Sequence, residues 1–169
     1  MTAADRRGET GTWVLLSYRI PREPSTPRIT IWRKLKRLGV AQISDGLVAL
    51  PADARTREHL EWIADEVTES GGTAMLWVAH PDTVASERAL ATAMADARAG
   101  EYAAVSAEAA TAGALDPTAR ESLARRLRAE LRRIQRRDYF PPTEREQATA
   151  AVEALTGGAV AVAPSQTPS

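Results

Sequence analysis

"TWVLLSYRIPREPSTPRITIWRKLKRLG", residues 12–39, sets the architecture of everything that follows it. Its first nine residues are a run of β-formers, so they predict a strand. Side chains alternate in a strand, so Val14, Leu16, Tyr18 and Ile20 share one face. Trp13, Leu15 and Ser17 share the other. "PREPSTP" must end that strand, because proline cannot donate to a β-ladder. Thr26 before Pro27 predicts a helix cap followed by proline at the first helical position. In the helix, Ile31, Trp32, Leu35 and Leu38 fall on one arc at 100° per residue. Arg33, Lys34, Lys36 and Arg37 fall on the other, and Gly39 can close it.

Working outward, "VAQIS" and "GLVALP" predict two short strands around Asp45-Gly46, a hairpin turn signal. A helix over about 54–70 would bury Leu60, Ile63, Ala64 and Val67, and "SGG" stops it. "TAMLWVAH" reads as a fourth strand. The order β-α-β-β-α-β over residues 12–80 predicts an α+β fold, a ferredoxin-like unit with an antiparallel four-stranded sheet. Trp13, Leu15, Met75 and Trp77 then lie on a face that the two helices of the repeat leave bare. Residues 82–156 read as a helical extension packed on that face. It comprises a helix over 82–112 capped by Asp82 and weakened at Gly100, a helix from Asp116-Pro117 to about Asp138, and a last helix opened by the capping box Thr143–Glu146. Residues 1–11 and 157–169 read as disordered tails.

Composition narrows the chemistry. The 169-residue chain has no cysteine, which excludes disulfides, thiolate metal sites and thiol nucleophiles. "MTAADRRGETG" does not read as a signal peptide, and a cytoplasmic location is expected. Zero net charge hides strong segregation. Seven basic residues between Trp13 and Leu38 oppose Glu23 alone, the stretch from Gly39 to Ala119 is acidic, and eight arginines between Arg120 and Arg137 oppose Glu121 and Glu130.

"RESLARRLRAELRRIQRRDYF" is the strongest local pattern. Leu123, Leu127, Leu131 and Ile134 stay within an arc of about 80°, and seven of the eight arginines lie outside it. A core-facing helix with a solvated face has this appearance. So does a phosphate-contacting face, since guanidinium forks match phosphate oxygens. The two histidines, His59 and His80, stand apart without metal-ligand spacing. Trp62 falls opposite the apolar arc of its helix, a position for packing under later helices or for an interface. No glycine-rich phosphate loop, nucleophile elbow or H-E-x-x-H motif occurs, so neither an enzyme nor a cofactor is expected.

"WVLLSYRIPREPSTPRITIWRKLKRLGVAQISDGLVALP" resembles the N-terminal domain of the chromate resistance protein ChrB family. "EHLEWIADEVTESGGTAMLW", "ARAGEYAAVSAEA" and "LRAELRRIQRRDYF" continue the likeness over about residues 12–155. The resemblance implies a chromate-responsive transcriptional regulator that binds DNA, and longer members carry a second, C-terminal domain. A remoter likeness links the first unit to ferredoxin-like domains of phenylacetate-type repressors and small CRISPR-associated nucleases. The nucleases need a metal-binding aspartate at the end of the first strand. Arg19 stands there, so nuclease chemistry is rejected.

The expected DNA- or anion-binding residues are Arg19, Arg22, Arg28, Arg33, Lys34, Lys36 and Arg37 in the first basic segment. Arg125, Arg126, Arg132, Arg133, Arg136 and Arg137 are those in the second. No helix-turn-helix signal accompanies them. The expected partners are DNA, chromate or a similar oxyanion, and a second copy or partner protein, with no metal and no membrane. The alternative is a protein-interaction module whose arginines pair with acidic helices.

Overall fold

A computed structural model describes residues 10–157. The sequence-predicted tails lie outside the described residues except for Thr10, Gly11 and Gly157. Thr10 and Gly11 are held in place: the Thr10 hydroxyl donates to the Pro81 carbonyl at 2.7 Å, and the Gly11 N–H donates to Glu87 Oε1 at 2.7 Å.

The elements run β1 (Trp13–Arg19), α1 (Ser25–Leu38), β2 (Ala41–Ser44), β3 (Leu47–Pro51), α2 (Ala54–Glu69), β4 (Thr73–Ala79), α3 (Val84–Ala110), α4 (Pro117–Gln135) and α5 (Glu144–Gly157), with a 3-10 turn at Thr111–Ala114. The four strands form one antiparallel sheet in the order β2-β3-β1-β4, as the β-α-β-β-α-β pattern predicts. At the β2–β3 turn Gly46 has φ +74°, and a Cβ there would lie 2.4 Å from the Tyr18 carbonyl oxygen. Only glycine fits that approach.

The described residues divide into two compact units, residues 10–95 with 137–140, and residues 96–136 with 141–157. In the first, Val14 and Leu16 of β1 pack with Ile31 and Leu35 of α1 and with Leu60, Ile63 and Val67 of α2. On the opposite sheet face Trp13 is buried. Its ring stacks on Phe140 with centroids 6.0 Å apart, and its Nε1–H donates to Glu87 Oε1 at 3.0 Å. Leu15 is half-buried, whereas Met75 and Trp77 on β4 stay exposed. The sequence treats those four residues as one face needing one cover. They differ because β4 is the edge of the sheet and β1 an inner strand.

The second unit is helical. Tyr102, Val105 and Ala109 of α3 pack with Leu123, Leu127, Leu131 and Ile134 of α4 and with Ala148 and Val152 of α5. The apolar arc read from the arginine-rich sequence is therefore its core stripe.

Two helix caps differ from the sequence reading. Thr26 is not the cap of α1: Pro24 holds that position in extended conformation, without a side-chain cap bond. Pro27 then falls in the first turn, where its missing N–H would have had no intrahelical partner anyway. The cap of α3 is Thr83, whose Oγ1 accepts from the Ser86 N–H at 3.1 Å. Asp82 accepts from the Ser86 hydroxyl instead. Gly100 lies inside α3.

α2 carries a cap that the sequence reading missed. Asp53 Oδ1 accepts from the Thr56 N–H at 2.7 Å, and the Asp53 N–H donates to Thr56 Oγ1 at 2.9 Å. The Thr56 backbone N–H is the main reason the Asp53 carboxyl titrates below its ordinary value of 3.8. A lowered folded pKa means stability that is present above the unfolded value and lost as pH falls through the folded one. Asp53→Ala should therefore cost about 1 kcal/mol at neutral pH. Asp53→Asn should keep the cap but lose this pH dependence. Urea midpoints of the three proteins at neutral pH and at about pH 3 check both points. Equal midpoints for wild type and Asp53→Ala at neutral pH would remove the cap's role.

Candidate nucleic-acid interface

The thirteen basic residues singled out from sequence fall into two groups. In the first unit, Arg19 ends β1, Arg22 lies in the proline-rich turn, and Arg28, Arg33, Lys34, Lys36 and Arg37 line α1. Lys34 is ion-paired with Glu66 of α2, so it ties the two helices together and is the least available of the group. Lys36 lies over the Trp32 ring, 4.5 Å from its centroid. Trp32 is 50% exposed, which corrects its sequence-based place on the buried arc. It sits 100° around the helix from Ile31, far enough that a lysine stem covers it where the sheet does not.

Arg19, Arg22, Arg28, Arg33 and Arg37 are exposed, and among the described residues none lies within ion-pair distance of a carboxylate. Arg28 acts electrostatically on Tyr18. Burial is the main cause that raises the Tyr18 phenol above its ordinary value, Asp45 adds to it, and Arg28 opposes it.

In the second unit the arginines of α4 split by function. Arg126 is ion-paired with Glu108 of α3, which draws the Glu108 carboxyl below its ordinary range. Arg133 pairs with Glu130 at 2.9 Å. Arg128 donates to Thr156 Oγ1 at 2.6 Å and Arg120 to the Leu115 carbonyl at 3.2 Å, so both serve the packing of the unit. Arg137 is half-buried beyond the end of α4 and belongs to the first unit.

Arg125, Arg132 and Arg136 are different. All three are exposed, and among the described residues no carboxylate lies within ion-pair distance of them. The Arg136 Nε–H reaches only the Arg132 carbonyl, at 3.3 Å. Their spacing of seven and then four residues places them along one line opposite the buried stripe of Leu123, Leu127, Leu131 and Ile134. At 1.5 Å per residue the line is about 16 Å long. A straight row of unneutralised guanidinium groups on a rigid helix can meet successive phosphates of a nucleic-acid backbone. Sequence alone could not sort these three from Arg126, because Glu108 comes from another helix.

A family model for the N-terminal part of Protein ChrB matches residues 28–160. The chain belongs to this family. That is the chromate-resistance family its sequence resembles, and the match takes in both basic helices. Protein ChrB of Cupriavidus metallidurans is 34% identical to the chain, the alignment covering 76% of the chain and 40% of the relative. The chain thus spans about two fifths of the curated relative's length. No solved structure matches it. Among the described residues no helix is long and apolar enough to cross a membrane.

Proposed function

We propose that this chain serves chromate resistance as a DNA-binding regulator that grips phosphate through its arginine-rich helix, aided by the basic face of α1. The observation that carries the reading is the line Arg125, Arg132, Arg136. These charges are exposed and lack carboxylate partners among the described residues, although the whole chain has as many acids as bases. Had the arginines existed only to hold helices together, the acids of the same unit would be expected to meet them, as Glu108 meets Arg126. In this reading the chain binds and does not catalyse. Chromate, a tetrahedral dianion, is the signal in this reading, and guanidinium donors are the groups that would hold it.

The test is a titration of the protein against a labelled duplex of its own upstream region at two or more salt concentrations. Phosphate-led binding should weaken with a slope of about 0.9 per phosphate contacted in log–log form. No binding at low salt would sink the reading. Repeating the titration with chromate against sulfate at equal ionic strength isolates the signal. Chromate should release DNA more than sulfate does, and equal release would remove chromate from the proposal.

A further inference from the structure

β4 is the edge strand of the sheet, and its unpaired side shows none of the usual protection. Edge strands are normally blunted by lysine, proline or a bulge, because their free N–H and C=O groups template further pairing. The seven residues "TAMLWVA" contain no charge and no proline. Met75, Trp77 and Val78 are 54%, 51% and 60% exposed. The Trp77 indole is held in place by a bond from Nε1 to Ser17 Oγ at 3.0 Å, so the exposed ring is preorganised.

The strand is also complementary to itself. If it pairs antiparallel with an identical strand about Leu76, all seven residues are used and Met75 falls opposite Trp77 of the other copy, twice. Both side chains lie on one sheet face, and a thioether against an aromatic ring is a favourable cross-strand pair.

α2 completes the match. It packs over β1 and β4, and the ion pair from Lys34 to Glu66 marks its α1 flank. Arg57 and Glu61 lie on its other flank, toward the β4 edge, bound to each other at 2.9 Å. With strands about 4.8 Å apart, two such helices across a β4–β4 seam would lie about 10 Å apart, which is helix-packing distance. Each flank carries both signs, so a two-fold sets Arg57 of one copy against acids of the other.

We infer that the partner of this edge is a second copy of the same chain, joined β4 to β4 in register about Leu76 into one continuous sheet. The inference alters no residue of the proposed DNA-binding faces and stands or falls apart from that reading.

Sedimentation of the full chain from micromolar to millimolar concentration should show twice the monomer mass of 18.2 kDa. Met75→Lys/Trp77→Lys places like charges opposite each other at both pairs and should leave only monomer with an unchanged far-ultraviolet spectrum. Met75→Glu/Trp77→Lys places opposite charges there and should restore the dimer in this register alone. Should the double-lysine variant fail to fold, Val78→Lys puts a charge on the same seam at an exposed position and should likewise give monomer. A wild-type chain that stays monomeric throughout overturns the proposal. So does a dimer indifferent to lysine, or a charge-swapped variant that stays monomeric.

Discussion

Replacing Arg125, Arg132 and Arg136 together with glutamine should lower DNA affinity about 500-fold at about 0.1 M monovalent salt. Each phosphate contact contributes about 0.9 to the log–log salt slope, so three contacts remove about 2.7 log units on going from molar salt to a tenth of that. Glutamine retains helix propensity, and the three positions lie opposite the buried stripe, so the fold should survive. The internal control is Arg126→Gln/Arg133→Gln. Those guanidinium groups already face Glu108 and Glu130, and losing them should flatten the slope much less. Equal losses from the two variants would mean that net charge, not the stripe, drives binding. A triple variant that binds as wild type does would move the interface off α4 altogether. An interaction module with no DNA role predicts no salt slope in any variant.

Trp13→Ala should cost about 3–5 kcal/mol, the range for removing a large buried ring. Trp13 is 2% exposed, stacks on Phe140 and hydrogen-bonds Glu87, so its removal opens a cavity and takes one of two donors from the half-buried Glu87 Oε1, leaving the Gly11 N–H. Trp13→Phe keeps a ring against Phe140 but has no N–H for Glu87. It should fall between, at about 1–3 kcal/mol. Urea denaturation followed by circular dichroism measures both. An alanine variant with the wild-type midpoint would show that Phe140 and the start of α3 do not close the sheet over Trp13.

The order of elements was legible in the chain because each unit of it announces itself locally. Alternation in "WVLLSYR", the Asp45-Gly46 turn and the 3.6-residue repeat of Leu60, Ile63, Ala64 and Val67 need no distant partner to be read. The same holds for the arc of Leu123, Leu127, Leu131 and Ile134, which is the core stripe of α4. Caps were less legible. Thr26, Asp82 and Asp53 all have the right chemistry, and a shift of one or two residues in the entering backbone decides which hydroxyl or carboxylate reaches an N–H.

The concentration of positive charge on two helices and the two apolar faces of the sheet follow from local residue order. Which charges are neutralised and which apolar residues are covered depends on the packing of distant elements. Arg126 and Lys34 look like Arg132 and Lys36 in the sequence. They differ because Glu108 and Glu66 arrive from other helices to neutralise them. Trp13 and Trp77 both point outward from neighbouring strands, yet one is buried and the other half-exposed, because strand order places β1 inside the sheet and β4 at its edge. Ion pairing and burial depend on proximity in space, and these ion-pair partners stand 18 and 32 positions apart along the chain.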